Sequence, residues 1–225
     1  MKKFQFIDLS HPLFNGVPLA SLLPRFVTWP CLSKQAGDSV NSNAQLFSDH
    51  TGTHVDAPRH IFDDGKTVDQ YPVDAYSGRA IGLDLRECDG KAITAEAIQQ
   101  AEKKACRPVE AGDIVLLVTN HSKLWEATPN GYAYLKNRPW VDPEAAQYLI
   151  DKGIKAIGID VGGPDPLGDS SHIIHNMLLS RDILIIESLA NLESVMNREC
   201  MFLAFPLKLQ GSTGSPTRAV AMLEE

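Results

Sequence analysis

The sequence predicts an α/β fold built on a mixed, partly barrel-like sheet with flanking helices, and two observations carry that prediction. In the middle of the chain, short apolar runs alternate with helical stretches that have recognisable caps. Towards both ends, strand-like runs follow one another closely, with only turns between them. The composition, 44% apolar and 22% charged, is ordinary for a globular protein.

"FQFIDLS" reads as an opening strand that stops at a Ser-His-Pro turn. From Asn15 to Gly37 the chain carries Pro18, Pro24 and Pro30 and reads as an irregular lobe. "AQLFSD" is a short strand running into a histidine-rich segment, and "AIGLDL" is a strand beyond it. "TAEAIQQAEKKA" is a helix with Thr94 as N-cap and Glu96 in its first turn. "DIVLLVTN" reads as a buried strand. "DPEAAQYLIDKG" is a second helix, with Asp142 as N-cap, Pro143 at its first position and Gly153 closing it. Then come the strand "KAIGID", the loop "VGGPDPLGDSS", a short helix around "HIIHNMLLS" and the strand "DILIIES". A last pair lies near "CMFLAFPLKL" and "TRAVAML". With no repeat, low-complexity tract or linker, residues 1–225 read as one domain.

A chain of 225 residues buries about 70% or more of its unfolded surface and needs no disulfide or structural metal to fold. Acidic residues outnumber basic ones by 28 to 21, for a formal charge of −7, which argues against nucleic acid or an anionic membrane as the main partner. Cys31, Cys88, Cys106 and Cys200 form no CxxC pair and read as free thiols in a reducing compartment. "MKKFQFIDLS" holds no apolar run of signal-peptide length, and no stretch approaches ~18 uninterrupted apolar residues. A cytoplasmic protein is expected.

The segment "HTGTHVDAPRH", His50 to His60, demands a chemical reason. A helix through it fails, because Gly52, Thr51, Thr53, Val55 and Pro58 make a poor helix interior. A bend at Gly52 followed by the extended piece "THVDA" suits the residues better. His54 and Asp56, two apart on a strand, then point to the same side, and the bend folds His50 back towards them. Two imidazoles and a carboxylate around one point suit Zn²⁺, Mn²⁺ or Fe²⁺ with positions left for water. A hydrogen-bonded turn without metal is the alternative. Pro58 fits the first turn of a short helix that would bring His60 near the site but not necessarily onto the metal, and a non-ligand imidazole there can move protons at neutral pH.

A second group lies at His172, His175 and Glu187. The Glu187 carboxylate ends an apolar strand, where a buried charge is usually paired or bound to a cation, unless it faces solvent. Added to His50, His54 and Asp56, such ligands could fill one metal site, or two with Asp56 bridging.

The eleven-residue run resembles the HxGTHxDxPxH motif of the cyclase family of metal-dependent hydrolases, which includes bacterial kynurenine formamidases and isatin hydrolases. "DLSHPL", "HNMLLSRDILIIESLANL" and "GSPTRAVAML" resemble that family's other pieces in the same order, whereas Asn15 to Asn43 matches poorly. The resemblance implies that His50, His54 and Asp56 are metal ligands and that His60 transfers a proton. It implies that His175 and Glu187 join Asp56 around a second ion in dinuclear members. His172 has no counterpart and is a candidate for supporting a ligand or facing the substrate. The implied fold is a swivelling β/β/α architecture, and the implied assembly a homodimer or homotetramer whose subunits help close each other's sites. Two features depart from the formamidase pattern. Trp29-Pro30 is followed by Cys31 where a Trp-Pro-Gly-Asp-like turn is usual, and "HIIH" stands where adjacent histidines are common.

The function expected is hydrolysis of a small-molecule amide, a formamide or cyclic amide, at a C–N bond outside peptides. A water activated by one or two divalent ions, Zn or Mn, would attack, with His60 moving the proton. No GxSxG motif is present. A lactone or cyclic imide hydrolase of the same family and a non-catalytic metal-binding protein are the alternatives. His11 reads as a turn residue and His121 as a strand-end residue; Asp160 and Asp165 bracket a glycine-rich loop that could border the pocket, and read first as turn-makers. Trp29, Phe47 and Trp140 read as core or pocket walls.

Overall fold

The structure is a computed structural model that describes residues 3–20, 22–126 and 132–224. Its strands are β1 (Phe4–Asp8), β2 (Val27–Leu32), β3 (Ser42–Leu46), β4 (His54–Asp56), β5 (Ser77–Asp84), β6 (Ala92–Ile93) and β7 (Ile114–Val118). They continue with β8 (Trp140–Val141), β9 (Ala156–Ile159), β10 (Leu184–Glu187), β11 (Glu199–Leu203), β12 (Gly214–Pro216) and β13 (Val220–Glu224). The helices are α1 (Ala95–Lys104), α2 (Tyr132–Leu135), α3 (Pro143–Asp151) and α4 (Ile173–Leu179).

Nine strands form one curled, half-barrel sheet in the order β1-β13-β11-β5-β7-β9-β10-β4-β12. The four central strands β5, β7, β9 and β10 are parallel, and every other pairing in this sheet is antiparallel. The mixed α/β class is therefore as the sequence predicts. The helical connections of the middle region produce the parallel strands, and the short turns of the ends produce the antiparallel ones.

The central strands are apolar throughout because both of their faces are covered. Ile81, Leu83, Val115, Leu117, Ile157, Ile159 and Ile185 pack beneath α1, α3 and α4. Their neighbours Ala80, Leu116, Val118, Ala156 and Ile186 pack on the opposite side with Leu9, Val55 and Phe202. This period-two sorting also orients β4. Val55 belongs to the second side, so His54 and Asp56 face the helices.

Local chemistry sets the helix ends. Thr94 accepts a hydrogen bond from Ala97 N, and Asp142 accepts one from Ala145 N with Pro143 at the first helical position. The region around Trp29 differs from its sequence reading. It is a two-stranded ribbon, β2 against β3, with the pairing shifted between Pro30 and Leu32. A proline can donate no ladder hydrogen bond, so a strand containing Pro30 does not look like one in sequence. No helix among the described residues is long and apolar enough to cross a membrane.

Candidate metal centre

The site is built at the carboxyl end of β10, where the antiparallel β4 lies alongside it. Glu187 is in register with His54, and Ile185 with Asp56, so both acidic side chains and His54 share one face. Gly52 sits at φ +65°, a left-handed conformation that brings the chain back before β4. A Cβ there would fall 2.4 Å from Leu13 Cδ2, the end of a side chain that would have to turn aside. His50 returns across this bend, its ring centroid 5.1 Å from that of His54. The 3-10 turn Pro58–His60 places His60 over the group, 4.0 Å from the His50 ring and 5.5 Å from the His175 ring. His175, on α4, closes it from the helical side.

Three contacts fix which nitrogen of each imidazole faces inward. His50 Nε2 donates to Thr213 Oγ1 at 2.8 Å, and that hydroxyl donates to Asp49 Oδ2 at 2.7 Å. His54 Nδ1 donates to Gly52 O at 2.8 Å. His175 Nδ1 donates to Asp165. The opposite nitrogens converge on the carboxylates. His50 Nδ1 is 2.7 Å and His54 Nε2 3.2 Å from Asp56 Oδ1, and His175 Nε2 is 3.1 Å from Glu187 Oε1 and 3.5 Å from Asp56 Oδ2. Outward nitrogens held by oxygens are the usual support of metal-ligating histidines.

The donor set fits a divalent ion. His50, His54 and Asp56 can hold one, and Asp56, His175 and Glu187 a second, each set with its donor atoms within 4.8 Å of one another. Asp56 Oδ2 is fully buried without a hydrogen bond, an expensive arrangement for an anion unless a cation completes it. Asp165, His172 and His175 also cluster. The Nδ1 of His175 is turned to Asp165, however, so this third group supports His175 from behind.

The charges follow from burial and proximity. Burial works against a charged His54, but the Asp56 and Glu187 carboxylates outweigh it and push the pKa up to about 9. The same contest raises His175 well above the ordinary histidine value, its partners being Asp165, Asp56 and Glu187. Asp56, whose burial alone would raise it, is held well below the carboxylate range by His54 and His50. His60 behaves oppositely. Burial lowers it to about 4, so its imidazole is neutral at physiological pH.

A cavity of about 430 Å³ opens above this group, walled by Leu19, Leu23, Tyr134, Leu135 and Arg138. With that geometry in view, the comparisons with known proteins fall into place. The pattern of the Cyclase family matches residues 7–166. The kynurenine formamidase of Bacillus cereus is 33% identical over 223 residues, 98% of each chain. Among solved structures, isatin hydrolase A from Labrenzia aggregata, bound to benzyl benzoate, superposes with a TM-score of 0.87 at 28% identity, over 99% of this chain and 94% of that one. A protein described as a potential metal-dependent hydrolase with cyclase activity gives a TM-score of 0.79 at 27% identity, over 99% and 100%.

The chain belongs to the Cyclase family.

In this cyclase-family protein the structure brings five of the sequence-derived ligand candidates, His50, His54, Asp56, His175 and Glu187, into one group with His60 beside it. His172 stands apart. It precedes α4 in a left-handed conformation, its side chain 53% exposed on the cavity wall and 3.6 Å from Asp165. His11 stacks on Trp125 at 4.4 Å, and His121 is buried with Nε2 donating to Tyr134 O. Asp160 accepts hydrogen bonds from Thr119 and Asn120 and ties two strand ends together. None of Trp29, Phe47 and Trp140 lines the cavity.

Sequence reasoning missed Asp49 and Thr213, read Asp165 first as a turn residue on a loop that could border the pocket, where it does lie, and did not single out Arg138. A signal for Asp165 existed. A carboxylate placed one short loop before a metal-ligand helix is positioned to hold a ligand's far nitrogen.

Proposed function

We propose that this chain is a metal-dependent hydrolase that adds water across a small amide, a formamide of an aromatic amine first and a cyclic amide second. One observation carries the reading. Three imidazoles, each anchored by its outward nitrogen, direct their inward nitrogens at Asp56 and Glu187 on the floor of a cavity, with a neutral, unbonded imidazole alongside. His50, His54 and Asp56 would hold one ion, and Asp56, His175 and Glu187 the other where two bind. A divalent ion there, Zn or Mn, supplies a Lewis acid for the carbonyl and lowers the pKa of bound water from about 15.7 to about 7.

The chain's own residues supply the rest. Among the described residues, none makes a hydrogen bond with the His60 ring, so it is free to take a proton from the attacking water. The C–O bond forms, the C–N bond breaks, and the proton held on the His60 ring passes to the departing nitrogen. Leu19, Leu23 and Leu135 keep bulk water from the reacting carbonyl.

The likeness to kynurenine formamidases at 33% identity supports the formamide reading. The likeness to isatin hydrolase supports the cyclic amide. All four cysteines are free, which suits a reducing compartment such as the cytoplasm. Self-association into a dimer or tetramer is supported by an apolar stripe on the outer face. Phe6, Met222 and Met201 pair in register there across β1, β13 and β11, with Phe6 66% exposed.

The test combines metal analysis with a substrate panel of N-formylkynurenine, isatin, a hydantoin-like ring and simple lactones. Formamide turnover that vanishes on chelation and returns with Zn or Mn is the expected result. Ring opening without formamide cleavage favours the cyclic substrate. Bound metal with no hydrolysis of any member overturns the enzyme reading in favour of a metal-binding protein.

A further inference from the structure

Beside the metal-side cavity lies a second chamber of about 470 Å³, and the two share Leu19, Leu23, Leu135 and Arg138 as a common wall. Phe26 and Arg25 line the far part of this chamber, and no Asp or Glu among the described residues does. The pair of chambers thus runs from a floor of carboxylates and imidazoles to a compartment that is apolar and cationic.

Arg138 stands where they meet. Its Nη1 donates to Gly163 O. A Cβ on Gly163 would lie 3.5 Å from Arg138 Nη2 and 3.4 Å from Glu187 Oε1, so the missing side chain leaves open the passage between guanidinium and metal centre. Arg79, Arg86, Arg107 and Arg218 each pair with a carboxylate, while Arg25, Arg59, Arg181 and Arg198 are exposed to solvent. Arg138, although partly buried, has no such partner among the described residues. Burial presses against its charge, which Glu187, Tyr134 and Asp165 oppose only at a distance. A guanidinium fork withdrawn from water and left without an anion, on the wall of a binding cavity, is suited to a carboxylate brought by a ligand.

We propose that Arg138 receives a carboxylate carried by the substrate, with the adjoining apolar chamber taking the body that bears it, so that the site selects anionic aromatic amides. The proposal rests on the amide-hydrolase reading of the metal centre. The amide carbonyl lies over Asp56 and Glu187, and the carboxylate lies across the Gly163 gap on Arg138.

The experiment compares formanilide with formanilides carrying a ring carboxylate at the ortho, meta or para position, using the metal-loaded protein. The expected result is that at least one carboxylated compound is preferred in kcat/KM, with the difference in KM. Arg138→Met should lower kcat/KM for that compound about 30-fold or more beyond any loss on formanilide. Arg138→Lys, which keeps the charge without the fork, should recover part of it. Equal losses on both substrates place Arg138 on the newly formed product acid or in a structural role and overturn the proposal, as does a KM that Arg138→Met leaves unchanged. Calorimetric binding of aminobenzoates against aniline separates the two readings. An Arg138-dependent preference for the aminobenzoates without turnover overturns the hydrolase and keeps the anion site. No preference overturns the anion site.

Discussion

Glu187 and His54 stand directly opposite each other on the antiparallel strands β10 and β4, His54 Nε2 3.5 Å from Glu187 Oε2. The pairing register thus delivers a carboxylate from late in the chain to the histidine motif near its start. Glu187→Gln preserves size and removes the charge, and should weaken metal retention against a chelator. His54→Ala or Asp56→Ala should abolish metal retention and turnover together, as read by elemental analysis and formamide hydrolysis on one preparation. A His54→Ala protein with full metal content and a normal rate would remove the basis of the assignment.

Asp49, Thr213 and His50 form a chain of hydrogen bonds, and Asp165 holds His175 in the same way. Neither Asp49 nor Asp165 belongs to the proposed inner ligand sets, so each acts through the histidine it supports. Asp49→Asn and Asp165→Asn should each reduce metal affinity by about 10- to 100-fold, with much of the activity recovered at saturating metal. Competition with a fluorescent chelator gives the affinity. Unaltered affinity in both variants would show that these contacts do not orient ligands.

His60 is close to the cluster without being tied to it. Its replacement by Gln should therefore spare metal content and lower kcat by about 10²–10⁴-fold, the range for a positioned general acid–base group. Loss of metal in His60→Gln would instead make His60 a ligand.

The stripe of Phe6, Met222 and Met201 lies on an edge of the sheet that ends in β1. Phe6→Lys puts a charge at its most exposed position and should shift sedimentation towards smaller species. Native protein that sediments as a monomer would dismiss self-association by this face.

Much of the site was legible because His50, His54, Asp56 and His60 lie within eleven residues whose Gly52 and Pro58 restrict the backbone to few paths. Glu187 was legible as a charge ending an apolar strand. The supporting shell was not, because Asp49, Thr213 and Asp165 sit in loops whose contacts are set by strand order, and no local periodicity encodes that order. Arg138 was hidden for a further reason. Its significance lies in the absence of an acidic partner, which is a property of three-dimensional packing. Of the ribbon, part of β3 is legible in "AQLFSD", but β2 is not, because Pro30 disguises a strand whose exposed residues also lack clean alternation.

The raised pKa of His54 makes metal binding pH-dependent with a definite sign. In the metal-free site this imidazole titrates at about 9, so it carries a proton at neutral pH. A metal binds only the neutral form, and the proton must leave. Affinity should therefore climb as pH rises towards about 9 and level off above it, with His175, raised in the same sense, adding to the slope. Calorimetry in buffers of different ionisation enthalpy should find at least one proton released per subunit at neutral pH and fewer above about pH 9. The metal-free protein obeys the complementary rule. The stability contributed by protonated His54 is fully present below 6.5, its unperturbed value, and is lost as pH rises through about 9. Chelated protein should thus melt at progressively lower temperature across that window, while metal-loaded protein should not. Proton-free metal binding at neutral pH would mean that His54 is already neutral there, and that the carboxylates beside it do not govern its charge.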